Sequence, residues 1–234
     1  MEYYKIGVIG GLGPLATAKF MSRVIDLTDA KSDQENVDMV ILNHSSVPDR
    51  TDYLLDNSKE NPLPYLINDA KILENIGCSY IAMPCNTAHA FLDSIEENIN
   101  INVINMVKLT IDECNERKMK KVGLMATRGT IKTNIFDKYS NIELFKPNED
   151  YQNIIDEFIF DKVKKNEEVS LSEFNNVLEY FYKNDCDGVI LGCTELSVIK
   201  VNLKLTDQKI VDTIDVLASN VIKLSGKKLK QGER

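Results

Sequence analysis

Two cysteines stand where strands end and helices begin, a position that makes a thiol reactive. Cys85 follows an apolar strand and precedes a predicted helix over residues 86–98, and Cys193 follows the apolar run GVILG and opens the segment TELSVI. Unpaired backbone N–H groups and the helix dipole at such a position lower a thiol pKa from about 8.5 and favour the thiolate. We therefore expect Cys85 and Cys193 to accept and donate protons.

An internal repeat supports this role over the alternative of two ordinary buried cysteines. The segment GCSYIAMPCNTAHAF at 77–91 resembles DCDGVILGCTELSVI at 185–199, and Cys85 and Cys193 occupy matching places in it. Each has a second cysteine seven residues earlier, at the start of the strand, where we expect a structural role; these are Cys78 and Cys186. Cys114, in a charged helix, is interpreted as structural or incidental.

Two thiols on opposite sides of one cleft suit the inversion of a stereocentre. A base removes the proton from one face of a carbon atom, and an acid returns a proton to the other face of the planar carbanion. Near-attack contacts of about 3–3.5 Å on each side would separate the sulfur atoms by roughly 7 Å. A disulfide of about 2.05 Å between them would therefore signal inactivation.

Polar residues beside the cysteines can hold a small anionic ligand. The side chains of Asn86, Thr87 and Thr194 offer amide and hydroxyl donors for a carboxylate. Arg50, in the loop Pro-Asp-Arg-Thr after a strand, offers a planar fork for a second carboxylate. A solvated loop arginine is the alternative interpretation of Arg50.

Three further ionisable residues stand near these positions without an assigned role. Two interpretations are open for His89, which lies three residues after Asn86: it orients Cys85, or it is a partly buried helix histidine. The same two alternatives apply to His44 at a strand end. Glu195 polarises Cys193 or favours the helix N-terminus by its charge. We assign none of the three to catalysis.

Short β-branched runs alternate with longer segments of helical period, which predicts parallel sheets with helices on both faces. The predicted strands are residues 5–9, 37–43, 79–83, 101–106, 121–126, 187–192 and 209–212. The first helical pattern consists of Leu15, Ala18, Met21, Ile25 and Thr28.

The repeat also predicts the domain organisation. KIGVIGGLGP at 5–14 resembles KVGLMATRGT at 121–130, and the two repeat pairs are offset by 116 and 108 residues. We expect two pseudo-symmetric α/β lobes, 1–110 completed by a C-terminal helical segment 211–234, and 111–210. The carboxyl ends of the strands in both lobes should face a cleft that binds the ligand.

Composition excludes several classes of partner. Twenty-eight basic and thirty-six acidic side chains among 234 residues give a formal charge of −8, which disfavours nucleic acid and anionic membranes. No apolar run approaches the roughly 18 residues of a membrane span, and the glycine-rich start does not resemble a signal peptide.

Five cysteines, an odd number, argue against a disulfide framework and for reduced thiols in the cytoplasm. Two histidines, without CxxC or HxxxH, leave little for a metal site.

The glycine-rich loop has a rival interpretation as a dinucleotide site. Residues 11–16 satisfy the pattern GxGxxA after a strand, but the acidic residue expected about 20 positions later is missing, because the second strand ends at Asn43 and His44. Pro14 suits the first position of a helix. The loop is therefore expected to present backbone N–H groups to a substrate carboxylate.

Five ordered motifs resemble those of the aspartate racemase branch of the aspartate/glutamate racemase superfamily. They are GGLGPLAT (10–17), PDRT (48–51), MPCNTAH (83–89), ATRGT (126–130) and GCTE (192–195), and the resemblance runs from Lys5 to about Val216. It implies a cofactor-independent amino-acid racemase, usually a homodimer, with Cys85 and Cys193 as the catalytic pair. Glutamate racemases are similar but typically show DSGVGG and GCTH, so Glu195 in place of the histidine favours the aspartate branch.

The resemblance also implies the substrate contacts. Residues matching those that hold the α-amino and α-carboxylate groups in the family are Asn86, Thr87, Thr127 and Thr194. Arg50 and Lys164 match an arginine and a lysine that hold the distal carboxylate, although Lys162 and Lys165 compete for the second assignment. The sequence thus predicts racemisation of aspartate, with glutamate as an open alternative. A diacid isomerase or decarboxylase of the same superfamily, and a silent amino-acid-binding protein, remain alternative functions.

Overall fold

A computed structural model describes residues 4–230 and contains two parallel β-sheets of four strands each. The first sheet has the order β2-β1-β3-β4, formed by Ile6–Gly10 (β1), Met39–Asn43 (β2), Tyr80–Ala82 (β3) and Asn102–Val103 (β4). The second has the order β6-β5-β7-β8, formed by Lys121–Met125 (β5), Glu143–Phe145 (β6), Gly188–Leu191 (β7) and Ile210–Asp212 (β8). Because both sheets follow the same order along the chain, the predicted fold class of two pseudo-symmetric parallel α/β units is confirmed.

Helices connect the strands of both sheets. In the first half they are Pro14–Leu27 (α1), Arg50–Leu55 (α2), Leu63–Ile76 (α3), Leu92–Glu96 (α4) and Met106–Glu116 (α5). In the second half they are Arg128–Thr133 (α6), Glu149–Asp156 (α7), Leu171–Lys183 (α8), Thr194–Asn202 (α9) and Thr213–Leu224 (α10). Short 3-10 turns lie at Asp33–Glu35, Thr87–Phe91, Asp137–Tyr139 and Val163–Lys165, and one π-helical turn at Glu157–Lys162. Within residues 4–230, no helix is both long and apolar enough to span a membrane.

Two predicted elements are shorter than the sequence pattern suggested. The predicted strand 101–106 shrinks to two residues, because the Asn105 side chain accepts the Lys108 N–H at 2.9 Å and starts α5 at Met106. The predicted helix 86–98 begins instead as a 3-10 turn, in which the His89 N–H bonds to the Asn86 carbonyl. The edge strand β6 was not predicted from the sequence, because one of its three residues is exposed and the other two are only partly buried.

Helix α1 is present, but it buries a different face from the apolar pattern that predicted it. Its buried residues are Ala16, Thr17, Phe20, Val24 and Leu27. Of the predicted pattern, Leu15, Ala18, Met21 and Ile25 are exposed, and Thr28 is buried at the helix end. The helix turns its inner face towards β1 and α10, so the neighbouring elements and not the richest apolar stripe decide its orientation.

The last helix returns to the first half of the molecule. Leu217 and Val221 of α10 share one apolar cluster with Ile6 and Phe20 of the first sheet and α1. Strand β8, immediately before this helix, pairs with β7 of the second sheet. The lobe boundaries at residues 110 and 210 stay a prediction, and residues 1–3 and 231–234 of the predicted first lobe lie outside the described residues.

The two halves also approach each other through α2 and α6. A Cβ atom at Gly129, in the first turn of α6, would lie 2.9 Å from the Thr51 Cα atom in α2. Only a residue without a Cβ atom fits at this spacing. The contact matters for the site because α2 begins at Arg50 and α6 follows Thr127.

Replacing Gly129 with alanine tests this close approach. Alanine is the better helix former by about 1 kcal/mol, so an uncrowded helix would gain stability. We expect the opposite, a loss of about 1–3 kcal/mol in the free energy of unfolding, because the added methyl group meets backbone that cannot rotate away. Urea denaturation measures the difference, and a stabilised variant would show that α2 and α6 lie further apart.

Candidate active site

A small cavity opens where the carboxyl ends of both sheets meet. Strand β3 leads into Cys85 and strand β7 into Cys193, so corresponding strands of the two sheets deliver the two thiols. All eight residues that the sequence assigned to the site line this cavity: Arg50, Cys85, Asn86, Thr87, Thr127, Lys164, Cys193 and Thr194. Leu12, Asp49, Thr51 and Glu195 line it as well.

The Cys85 thiol is buried, and this reverses the expected direction of its pKa. Burial raises the pKa of Cys85, while the nearby Arg50 guanidinium and the Ala88 N–H pull it down by a smaller amount. The prediction of a lowered pKa at Cys85 was therefore wrong for the unliganded protein. Loss of hydration outweighs the donors of the short 3-10 turn that follows.

Cys193 is also buried, and it is the N-cap residue of α9. Its thiol donates a hydrogen bond to Glu195 Oε2 at 2.9 Å. Burial and the adjacent Glu195 carboxylate raise the pKa of Cys193 well above its usual value, against the opposing pull of the Lys164 ammonium group. Here too the predicted lowering of the pKa was wrong, and both thiols rest as neutral S–H groups.

His89 holds the backbone beside Cys85 rather than its sulfur. The Met106 N–H donates to His89 Nε2 at 3.2 Å, so the ring proton resides on Nδ1 and is donated to the Cys85 carbonyl at 2.8 Å. In an α-helix, the Cys85 carbonyl would accept the backbone N–H of His89. Here it accepts the ring N–H instead, which explains the 3-10 turn. Burial lowers the pKa of His89 and keeps the ring neutral.

Arg50 is buried in the cavity wall, so the alternative of a solvated loop arginine was wrong. Its guanidinium donates to the carbonyls of Val47, Pro48 and Leu12 at 3.2, 3.0 and 2.8 Å. Its Nε–H has no hydrogen-bond partner among residues 4–230. Arg50 therefore holds the glycine-rich loop, and its buried Nε–H can still donate a hydrogen bond.

Asn86 supplies a matching acceptor. Its side-chain amide donates to Thr213 Oγ1 at 3.0 Å, and the Thr213 hydroxyl in turn donates to the Leu191 carbonyl at the end of β7. In the described part of the chain, the buried Asn86 Oδ1 has no donor. The cavity wall thus contains one unsatisfied donor and one unsatisfied acceptor, and such buried groups are costly unless a ligand completes them.

Four threonine hydroxyls form a cluster across the cleft. Thr127 Oγ1 lies 3.2 Å from Thr51 and 3.1 Å from Thr87, which lies 2.9 Å from Thr130. Thr127 also caps α6 by accepting the Thr130 N–H at 3.2 Å. These hydroxyls satisfy one another in the absence of a ligand and join residues of the first half to residues of the second.

Lys164 reaches the cavity from the irregular segment that follows α7. The π-helical turn ends at Lys162, and the next 3-10 turn carries Lys164, whose Nζ atom lies 3.2 Å from Asp49 Oδ2 and 4.3 Å from the centre of the Phe160 ring. Lys162 instead pairs with Glu173, and Lys165 pairs with Asp161. Of the three lysines, the structure brings only Lys164 to the cavity.

The glycine-rich loop is held in place by hydrogen bonds to its backbone. The Gly11 N–H donates to Thr17 Oγ1 at 2.9 Å, and the Leu12 carbonyl accepts from Arg50. A Cβ atom at Gly13 would stand 3.3 Å from Glu195 Oε1, so the loop also packs against the Cys193 side of the cleft. The Gly11 N–H is therefore already bonded within the loop, and the expectation that the loop presents other backbone N–H groups to a substrate stays a prediction.

His44 lies outside the cavity. Its Nδ1 atom pairs with the buried Asp69 carboxylate at 2.9 Å, and its ring packs edge-on against Tyr65. It therefore anchors the start of the loop that leads to Arg50. Within residues 4–230, no group of three or more His, Cys, Asp or Glu side chains could hold a metal ion.

Sequence reasoning missed Leu12, Asp49 and Thr51 and left Glu195 without a role. Asp49 and Thr51 flank Arg50, and Asp49 is the type of residue that starts a helix, so its capping of α2 was open to prediction. Its contact with Lys164 was not, because 115 residues separate the two in the chain.

A larger groove lies among α1, α5, α9 and α10, and the described residues that line it include no cysteine. Its central ions satisfy each other, since Lys200 contacts Asp212 at 3.2 Å and Asp215 at 2.6 Å, and Arg23 also pairs with Asp215. This network joins helices and offers no reactive group.

Comparisons with known proteins agree on one family. The model of the Asp/Glu/hydantoin racemase family matches residues 9–221. A broad specificity amino-acid racemase of Bacillus subtilis is 26% identical, with 93% of this chain and 96% of that protein covered. Among solved structures, the aspartate racemase of Picrophilus torridus is 32% identical, with a TM-score of 0.82 and coverage of 97% and 96%. An aspartate racemase homologue of Pyrococcus horikoshii, 23% identical with a TM-score of 0.76 and coverage of 97% and 100%, shares the fold.

The neutral state of His89 predicts a pH dependence of stability. Because burial lowers its pKa in the folded protein, the unfolded chain binds the additional proton as pH falls below about 6.5. This contribution to stability is complete above that pH and is lost as pH falls, by up to about 1.4 kcal/mol per pH unit. Urea denaturation at several pH values should show a shallower loss for His89→Asn, and an identical slope would contradict a buried neutral ring.

The contact between Glu195 and Cys193 predicts a change in thiol reactivity. Glu195→Gln removes the negative charge that contributes to the raised Cys193 pKa, so the pH midpoint for alkylation of Cys193 should fall. Iodoacetamide labelling with peptide mass spectrometry measures this midpoint. Cys114, whose pKa burial raises to about 12, is the internal control and should stay unlabelled. A midpoint that stays or rises would contradict the assigned effect of the carboxylate.

Proposed function

The chain belongs to the Asp/Glu/hydantoin racemase family, and from this premise we propose that it interconverts L- and D-aspartate by proton transfer at Cα. The carrying observation is the pair of thiols, Cys85 and Cys193, which follow corresponding strands of two like sheets and line one cavity. Racemisation acts on both enantiomers of its substrate, and two equivalent thiols on opposite walls of the cavity suit such a reaction.

In the proposed reaction one cysteine acts as a thiolate and the other as a thiol. The thiolate takes the Cα proton and becomes S–H, while the opposite S–H gives its proton to the other face of the carbanion and becomes a thiolate. The two sulfurs have then exchanged protonation states, and the product is the mirror image of the substrate. The reverse reaction uses the same two groups in exchanged roles, and no cofactor enters the proton balance.

Formation of the first thiolate must overcome the burial of both sulfurs. The Arg50 guanidinium stands beside Cys85 and the Lys164 ammonium group near Cys193, and each opposes the rise in pKa caused by desolvation. The α-ammonium group of a bound amino acid would add a third positive charge. Glu195, which already accepts the Cys193 S–H hydrogen bond, is placed to receive that proton when the thiolate forms.

The unsatisfied polar atoms of the wall fit the charged groups of an acidic amino acid. Asn86 Oδ1 would accept a hydrogen bond from the α-ammonium group, and Arg50 Nε would donate one to the distal carboxylate. The hydroxyls of Thr87, Thr127 and Thr194 line the same cavity and would turn towards the α-carboxylate. Donors at that carboxylate stabilise the negative charge of the carbanion, which is the main barrier to this reaction.

The proposed substrate rests on the cations of the cavity. Lys164 would hold the distal carboxylate, and the similarity to an aspartate racemase at 32% identity supports aspartate, with glutamate as the alternative. Homodimer formation and a cytoplasmic location stay predictions.

Replacing either cysteine with serine tests the two-thiol mechanism. A serine hydroxyl is far less acidic than a thiol, so Cys85→Ser and Cys193→Ser should each slow racemisation of aspartate by at least about 10²–10⁴-fold. Proton NMR in heavy water follows loss of the Cα–H signal, and chiral chromatography follows inversion.

Cys186→Ser is the matched control, because Cys186 occupies the repeat position seven residues before Cys193 and lies outside the cavity. It should racemise aspartate at the wild-type rate. Near-normal turnover by either cavity variant would refute the mechanism, and wild-type protein that exchanges neither enantiomer of aspartate or glutamate would refute the function.

A further inference from the structure

Asp49 lies in the cavity wall, and the proposed reaction assigns it no step. Its Oδ1 atom caps α2 by accepting the N–H groups of Thr51 and Asp52 at 2.8 and 3.2 Å. Its Oδ2 atom crosses the cleft to Lys164 Nζ at 3.2 Å. One carboxylate thus performs two separable tasks, a local helix cap and a long-range ion pair.

The ion pair occupies the cation that would bind the distal carboxylate of a substrate. Lys164 is held between Asp49 and the Phe160 ring, with its Nζ atom 4.3 Å from the ring centre. The Lys164 and Asp49 side chains remain 32% and 31% exposed, so the pair borders the opening of the cavity rather than a sealed core. In the unliganded protein, Asp49 therefore takes the place that a substrate carboxylate would take.

The charges that line the cavity balance. Arg50 and Lys164 are positive, and Asp49 and Glu195 are negative. An amino acid with a neutral side chain enters this cavity as a zwitterion and adds no net charge, whereas aspartate adds one negative charge next to Asp49. Repulsion of this kind discriminates between ligands as effectively as an attractive contact does.

We propose that Asp49 is a specificity-determining residue that weakens the preference of this cavity for dicarboxylic amino acids and extends its substrate class to amino acids with small neutral side chains. This inference rests on the proposed function, because it concerns the substrates of the same site. Lys164 and Asp49 act as an opposed pair: the lysine attracts a distal carboxylate, and the aspartate competes for the lysine.

Asp49→Asn separates the charge from the helix cap. Asparagine retains a side-chain oxygen for the Thr51 and Asp52 N–H groups and is an equally good N-cap residue, but it removes the negative charge beside Lys164. The KM for aspartate should fall about tenfold with kcat changed less than about threefold, while the KM for alanine changes less than about twofold. Asp49→Ser, which also caps a helix, should give the same shifts if asparagine impairs folding.

Asp161→Asn is the matched control. It removes a carboxylate from the neighbouring pair of Asp161 and Lys165, which are 2.7 Å apart, exposed and outside the cavity, and both KM values should stay unchanged. Lys164→Met is the reciprocal variant and should raise the KM for aspartate relative to that for alanine. An unchanged or raised KM for aspartate in both Asp49 variants would overturn the inference.

Calorimetric titration of the same proteins with aspartate and alanine separates this inference from the proposed function. Tighter binding of aspartate by Asp49→Asn supports the inference even if the wild type never exchanges the Cα proton, a result that would overturn racemisation alone. Exchange by the wild type with equal aspartate affinity in the wild type and Asp49→Asn would overturn the inference alone. Wild-type protein that binds neither amino acid would overturn both.

Discussion

Removal of the two cysteine thiols from water is the constraint to which the rest of the site responds. Burial makes the thiolate costly at Cys85 and Cys193, although the proposed reaction requires one of them to carry a charge. The cavity opposes this cost with a guanidinium beside one sulfur and an ammonium group near the other. Glu195 makes the two sides unequal, because its carboxylate bonds to one thiol only. Like backbone positions therefore present two thiols with different acidities.

Hydrogen bonds across the cleft hold the two thiols in a fixed relation. Thr51 and Thr87 from the first half meet Thr127 from the second, and the Asn86 amide meets the Thr213 hydroxyl after β8. Further out, Lys132 of α6 donates to the last carbonyls of α2. These bonds are directional, so they specify the separation of the walls more sharply than apolar contact would. Proton transfer depends on such precision, because a misplacement of about 1 Å can slow a reaction about 10²-fold.

The hydrogen-bonding capacity left unused in the wall describes the ligand. Arg50 donates hydrogen bonds to three backbone carbonyls, and Lys164 forms an ion pair with Asp49. Among residues 4–230, the buried Arg50 Nε–H and the buried Asn86 Oδ1 have no hydrogen-bond partner. A ligand with a carboxylate and an ammonium group would satisfy both of these atoms, and an amino acid is such a ligand. The side chain of that amino acid then meets an ion pair of zero net charge.

The sequence alone determined the α/β class, the repeated unit and the two cysteines that line the cavity with the residues around them, because strand period, strand-end position and repeat spacing are local properties of the chain. It also anticipated a family whose motifs lie at those strand ends. It misjudged the buried face of α1 and the acidity of both thiols, and it did not foresee the hydrogen bond from Arg50 to the glycine-rich loop. Each of these depends on groups that lie far away in the sequence: α10 packs against α1, each thiol is buried in the apolar cluster of its own half, and Arg50 donates to the Leu12 carbonyl. Only the tertiary structure decided those contacts, and it alone placed Asp49 against Lys164, because the energy of a buried charge depends on neighbours that lie far away in the sequence.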